Sequence, residues 1–84
     1  MKTNKCRNYI QPKVIQRGTN HEVWLFRNQY FRAFIFSDGV VQLRVAWENP
    51  SAKGHWMDNG CAAINSHNGH DREAAIKWLN ENVG

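Results

Sequence analysis

Three segments in the middle of the chain, residues 22–27, 30–36 and 40–47, are rich in apolar aromatic and β-branched side chains. Such a composition is typical of β-strands. Short polar stretches at residues 28–29 and 37–39 separate the segments. The pattern therefore predicts a three-stranded antiparallel meander. Residues 13–17, which follow a proline, predict a further edge strand.

The two turns set the predicted register. A three-residue turn at residues 37–39, with Gly39 in the left-handed conformation, places Phe36 opposite Val40. Counting outward from this turn makes Arg32 the partner of Arg44. A two-residue turn at residues 28–29 completes the meander. The other predicted pairs are Phe34–Gln42, Tyr30–Ala46, Phe26–Phe31 and Trp24–Ala33.

This register separates the side chains into two faces. One face is apolar and is predicted to be the core face, because a sheet that is solvated on one side buries the other. It carries Trp24, Phe26, Phe31, Ala33, Ile35, Val41, Leu43, Val45 and Trp47. The opposite face, called the second face below, mixes cations with aromatic residues. It carries Val23, Leu25, Arg27, Tyr30, Arg32, Phe34, Phe36, Val40, Gln42, Arg44 and Ala46.

The last third of the chain predicts a long loop followed by a helix. Residues 48–70 are rich in Asn and Gly, contain Pro50 and predict loop structure, with a short hairpin turned at Asn59-Gly60 as an option. Asp71 is a natural helix N-cap, and residues 71–83 carry an apolar stripe of Ala75, Ile76, Leu79 and Val83. We expect one domain over residues 1–84, with residues 1–8 mobile. The predicted fold is α+β, a three- to four-stranded antiparallel meander packed on one face by a C-terminal amphipathic helix.

The order of these elements, over residues 23–83, resembles the sheet-reading DNA-binding domains of integrase amino-termini and plant ethylene-response factors. In those domains sheet residues enter the major groove, so the resemblance implies a DNA-binding sheet. It lies in the order of elements, and no family motif matches residue by residue. In size and layout the chain is also similar to accessory proteins of phages and mobile elements, including anti-CRISPR inhibitors.

The net charge of +4 is unevenly distributed along the sequence. Residues 1–47 carry eight Lys or Arg against two acids, whereas residues 48–84 carry three against five. A positive field on the sheet half favours anionic partners such as nucleic acid or an acidic protein surface. The alternative is that the charge only keeps a small protein in solution.

The number of cysteines and the lengths of the apolar runs indicate the cellular compartment of the protein. Only two cysteines occur, Cys6 and Cys61, which favours a reducing compartment over a secreted disulfide scaffold. The amino-terminal residues lack the apolar stretch of a signal peptide, and the longest apolar runs are far too short to cross a bilayer. We therefore expect a cytoplasmic protein without a membrane partner.

The second face is the candidate binding site. Two arginines directly opposite one another destabilise a sheet unless an anion lies between them. Guanidinium groups bind phosphate or carboxylate, and aromatic rings stack on bases or pack against a protein. The candidate residues are Arg27, Tyr30, Arg32, Phe34, Phe36, Gln42 and Arg44, with Lys13, Arg17, Trp56 and an arm of Lys2, Lys5 and Arg7. In the alternative interpretation, the N-terminal segment covers Phe34 and Phe36 and the arginines lie around them.

Metal and catalytic chemistry receive little support from the sequence. His55, Cys61, His67 and His70 have the spacing H-x5-C-x5-H-x2-H, which lacks the paired cysteines of a zinc site. Neither a thiol nucleophile at Cys61 nor an acid–base pair of Asp58 and His55 has a supporting motif. We expect no metal, no cofactor and no enzymatic activity.

Two functions remain open at this point. The first is a non-catalytic module whose second face engages nucleic acid or a nucleoprotein complex. The second is a protein inhibitor or adaptor of the phage or mobile-element type, for example an anti-CRISPR-like antagonist of a host defence complex, which acts through the same face or through the loop that bears Trp56.

Overall fold

The structure, a computed structural model, describes residues 9–64 and 69–84. Its elements are β1 (Lys13–Arg17), β2 (His21–Phe26), β3 (Gln29–Ile35), β4 (Val41–Glu48), β5 (Trp56–Ile64) and α1 (Arg72–Asn82). The strands form one antiparallel sheet in the order β1-β2-β3-β4-β5. The α+β class is as predicted, but the sheet has five strands rather than three or four. The expected mobility of residues 1–8 concerns residues outside those described.

The hairpin of β3 and β4 has the predicted register. Arg32 lies opposite Arg44, and the pairs Phe34–Gln42 and Tyr30–Ala46 are also present. The Phe36 N–H donates to the Val40 carbonyl over 2.9 Å, and Gly39 takes a φ of 87°. Only a residue without a Cβ adopts that angle at no steric cost, which is why the turn at residues 37–39 could be located from the sequence.

The hairpin of β2 and β3 differs from the prediction. Trp24 pairs with Phe31 rather than Ala33, and Phe26 pairs with Gln29 rather than Phe31. The turn lies one residue earlier than predicted and places Arg27 in the left-handed region at a φ of 55°. Because the register moves by two residues, every side chain keeps its predicted face.

The prediction of a loop over residues 48–70 is wrong for residues 56–64. Residues 56–64 form β5, which pairs with β4, and a short hydrogen-bonded loop precedes it. Asn59-Gly60 turns no hairpin but lies in an irregular stretch of β5, where the pairing passes from Asp58 opposite Ala46 to Ala62 opposite Arg44. Gly60 takes a φ of 76° there, as is common in bulges. Gly60, which suggested a hairpin turn, therefore lies in a β-bulge instead.

One hydrophobic cluster contains buried residues of both the sheet and α1. Its members are Trp24, Phe26, Phe31, Ala33, Val41, Leu43, Ile64, Ala75, Ile76 and Leu79. Asp71 caps the helix, as predicted, because its Oδ1 accepts a hydrogen bond of 2.8 Å from the Ala74 N–H. Among the described residues, no helix is long and apolar enough to cross a membrane.

Trp47 is the exception among the predicted core-face residues. Ile35 and Val45 pack at the edge of the cluster, whereas Trp47 is 43% exposed. Trp47 lies near the end of β4 opposite Met57, which is 41% exposed. The prediction that Trp47 belongs to the core is wrong, because this end of the core face extends beyond the hydrophobic cluster.

Candidate ligand-binding face

Because of the antiparallel pairing, all five strands contribute side chains to the second face. One row across the sheet runs Lys13, Leu25, Tyr30, Ala46 and Asp58, with each residue paired to the next. The neighbouring row runs Gln16, Val23, Arg32, Arg44 and Ala62. The arginine pair is thus flanked on β1, β2 and β5 by side chains whose positions follow from the register alone.

Asp58 lies between the two opposed arginines. Its Oδ2 accepts from Arg32 Nη1 and its Oδ1 from Arg44 Nη1, each over 3.3 Å. The expected anion that relieves the repulsion between the arginines is therefore supplied by the chain itself. One carboxylate cannot neutralise two guanidinium groups, so one net positive charge remains at this point of the face.

Both guanidinium groups also lie over one aromatic ring. Arg32 Cζ is 5.3 Å and Arg44 Cζ is 5.0 Å from the centroid of Phe34, within the range of cation–π attraction. The Nε atoms of both arginines are buried and have no partner among the described residues. The side chains are 27% and 31% exposed. Their positions are thus fixed by Asp58 and Phe34, while part of each side chain remains exposed.

The electrostatics of the site keep Asp58 ionised. Burial alone raises the pKa of this carboxyl, but the Gly60 N–H, Arg44 and Arg32 outweigh burial and hold its pKa below the ordinary 3.8. The Gly60 N–H donates to Asp58 Oδ1 over 2.8 Å. The bulge in β5 therefore both positions the carboxylate and stabilises its charge.

Trp56 crosses the second face. Its ring contacts Tyr30 with centroids 4.9 Å apart and planes at 52°, and its indole N–H donates to Gln16 Oε1 on β1 over 2.9 Å. Its carbonyl accepts from Arg32 Nη1 over 3.4 Å. Trp56 therefore connects β5 to the opposite edge strand and lies beside the arginine pair.

The remaining predicted site residues are dispersed. Gln42 is half-buried on the second face, and Lys13 is exposed at its β1 edge. Phe36 is 46% exposed beyond the end of β3. Arg17 pairs with Glu22, and Arg27 lies in the turn with its Cζ 5.3 Å from the Phe26 ring. Arg17 and Arg27 are therefore not brought together with the arginine pair.

The alternative interpretation of the second face is correct in one respect. The arginines do cover Phe34, but the described part of the N-terminal segment does not lie there. Ile10 exchanges two hydrogen bonds with the Asn80 side chain on α1, over 2.8 and 3.0 Å. The basic arm of Lys2, Lys5 and Arg7 lies outside the described residues.

A second carboxylate joins two arginines at the other side of the sheet. Glu22 contacts Arg72 over 2.8 Å and Arg17 over 3.7 Å, and it accepts from the Trp24 indole N–H over 2.8 Å. Burial raises the pKa of Glu22, but the bonds from Trp24 and Arg72 outweigh it and leave the pKa below the ordinary 4.5. This cluster links β1, β2 and α1.

Two residues of the site were not predicted as binding residues from the sequence: Asp58 and Gln16. A signal for Asp58 was present, since two opposed arginines require a nearby carboxylate and the residues Trp56 and Asp58 alternate as strand residues do. No comparable signal exists for Gln16, whose role depends on the curvature of the whole sheet.

The residues considered for metal binding or catalysis do not form a cluster in the described part of the chain. No group of three or more His, Cys, Asp or Glu side chains is placed there to hold a metal ion. Cys61 is an exposed free thiol. His70 has a buried Nδ1 without a partner among the described residues. Cys6 and His67 lie outside them.

Comparison with protein-family models, with curated proteins and with solved structures finds no match.

Proposed function

We propose that the protein is a non-catalytic binding module whose second face engages nucleic acid, alone or in a nucleoprotein complex. The observation that carries the proposal is the pair Arg32 and Arg44, held side by side over Phe34 with 27% and 31% of their side chains exposed. Arginines whose positions are already fixed lose little conformational entropy when they bind an oxyanion. Phosphate oxygens are acceptors that arginines bind in such two-point contacts.

The internal carboxylate sets the strength of this site. Asp58 reduces the charge of the arginine pair but orients it, because each carboxylate oxygen engages one guanidinium. A phosphate on the solvent side adds a second acceptor without displacing the first. Asp58 therefore has two opposite effects. It stabilises the geometry of the arginine pair, and it weakens the attraction of that pair for an external anion.

A titration of a fluorescent oligonucleotide by anisotropy, at two salt concentrations, tests the proposal. Arg32→Ala or Arg44→Ala is expected to weaken binding and to lower the log–log salt slope by about one per lost phosphate contact. Asp58→Asn is expected to tighten binding. Glu81→Gln is the matched control, because it removes the same charge from an exposed position on α1. Arg17→Ala is the control for loss of a cation.

The proposal fails if no short duplex, single-stranded DNA or RNA binds below about 10⁻⁴ M, the weak end of ordinary non-specific affinity. It also fails if Asp58→Asn and Glu81→Gln change the affinity equally, since binding would then depend on total charge rather than on this face.

A second candidate function is a protein inhibitor or adaptor, and a separate observation favours it. Trp47 and Met57 are paired neighbours on β4 and β5 and are 43% and 41% exposed. Trp and Met are enriched at protein interfaces. If this function is the correct one, replacing both residues by Ser will abolish capture of a specific protein from nuclease-treated lysate, and Arg32→Ala will not. Equal capture by the double variant excludes this pair as the interface.

A further inference from the structure

The hydrogen bond between Trp56 and Gln16 reveals the curvature of the sheet. Adjacent strands lie about 4.8 Å apart, so β1 and β5 would be about 19 Å apart in a flat five-stranded sheet. Trp and Gln side chains do not together span that distance, yet their polar atoms are 2.9 Å apart. The sheet therefore curls toward the second face.

Burial of small residues on the second face supports the same conclusion. Val23 is 1% exposed and Ala46 is 2% exposed, although both lie on the second face rather than the core face. A flat sheet face open to solvent would leave such residues accessible. The second face is therefore concave, and Trp56 lies across its width.

This shape bears on the kind of nucleic acid that fits. The major groove of duplex DNA is about 12 Å wide and admits a helix or a two-stranded ribbon. A concave face of five strands, spanned by an indole, presents no ridge of that width. Groove insertion, which the resemblance to sheet-reading domains implies, is therefore disfavoured for this face.

Binding of single-stranded nucleic acid does not require the sheet to enter a groove. The rings of Trp56 and Tyr30 contact each other with their centroids 4.9 Å apart. The Trp56 carbonyl accepts a hydrogen bond from Arg32 Nη1 over 3.4 Å. An aromatic pair and a cation pair are thus adjacent on one face, which is the combination that binds single strands by stacking and phosphate contact. The indole N–H of Trp56 is held by its hydrogen bond to Gln16.

We infer that the second face takes single-stranded nucleic acid in preference to duplex, with a base stacked against Trp56 and Tyr30 and a neighbouring phosphate on Arg32 and Arg44. This inference rests on the proposed function and specifies its substrate class. Breaking the bond between Trp56 and Gln16 lets the indole turn to accept the base.

The test compares a labelled oligothymidylate of about 12 nucleotides, within the usual site sizes for single-strand binding, with a duplex of equal length. We expect the single strand to bind at least about tenfold more tightly. Trp56→Ala should weaken binding of the single strand by about 5- to 100-fold, as expected for one lost stacking contact. Trp47→Ala is the matched control, since Trp47 is exposed on the opposite face.

Further variants keep the inference testable if Trp56→Ala does not fold. Trp56→Leu retains apolar cover but cannot stack, so it should weaken binding in the same way. Gln16→Ala removes the restraint without removing the ring and should leave single-strand affinity unchanged or higher. Circular dichroism and thermal melting establish that each variant is folded.

The outcomes separate this inference from the function beneath it. Equal affinity for single strand and duplex, or Trp56 variants that bind the single strand as the parent does, overturns the inference. If Arg32→Ala still weakens binding in that case, the proposed function stands. Absence of binding to both probes overturns both.

Discussion

At the scale of single residues, Asp58 determines the geometry and the net charge of the arginine pair on the second face. Without it, two cations would lie directly opposite one another at the centre of the sheet, with their Nε atoms already lacking partners. The sequence alone suggests that replacing either arginine by alanine leaves the free protein as stable or slightly more so, because a like charge is removed. The contacts with Asp58 and Phe34 reverse that expectation, since each replacement now removes a charged hydrogen bond and a cation–π contact.

Asp58→Asn should destabilise the free protein by about 1–3 kcal/mol, the usual cost of removing a hydrogen-bonded charge from a partly buried site. Chemical denaturation of the variant measures this change in the free energy of unfolding. Glu81→Gln, which removes a carboxylate from an exposed helical position, should change stability by less than about 0.5 kcal/mol. Equal stability of the two variants would show that Asp58 does not hold the arginines together.

The pH dependence of stability follows from the depressed pKa of Asp58. Its pKa is lower in the folded state than the ordinary 3.8, so its contribution is complete above that value and is lost as the pH falls through the folded pKa. The difference in unfolding free energy between parent and Asp58→Asn should be constant near neutral pH and shrink below pH 3.8. Glu22 makes the same pH-dependent contribution to the unfolding free energy of both proteins, so this contribution cancels in the difference between them. A difference that is unchanged at low pH contradicts this account.

At the scale of the elements, the meander of β2, β3 and β4 could be predicted and β5 could not. The strands of the meander are rich in aromatic and β-branched residues and one of their turns requires a glycine, and these signals are local. β5 contains Asp58, Asn59 and Gly60 in its middle, which are residues that local rules assign to loops. Pairing with β4 and the bulge override that preference. The same cause hid the role of Asp58, because this residue reaches the arginines only once β5 is part of the sheet.

The core face offers a test of where the hydrophobic cluster ends along β4. Leu43 is fully buried, whereas Trp47, on the same face of the same strand, is 43% exposed. Leu43→Asp should unfold the domain, because it buries a charge without a partner. Trp47→Asp should cost no more than about 1 kcal/mol, the span of strand propensities at exposed positions. Thermal melting distinguishes the two, and a folded Leu43→Asp protein would show that this face is not the core.

At the scale of the whole molecule, little of the net positive charge belongs to the part that the structure describes. Residues 9–64 and 69–84 carry eight Lys or Arg against seven Asp or Glu, so three of the four net charges lie in residues 1–8. Glu22 and Asp58 each engage two arginines. Under the proposed function, recognition by this sheet depends on how Arg32 and Arg44 are arranged rather than on a broad positive field. That distinction could not be made from the sequence, because charge counts do not show which cations are paired.

The most direct test of the second face as the ligand site is an NMR titration of isotope-labelled protein with the short oligothymidylate. The account predicts that the side-chain resonances of Arg32 and Arg44, the Trp56 indole N–H and the amides around Phe34 shift together and saturate together. The Trp47 indole, on the opposite face, should not shift. Shifts confined to Trp47, Met57 and α1, with the arginine and Trp56 signals unmoved, would contradict the account.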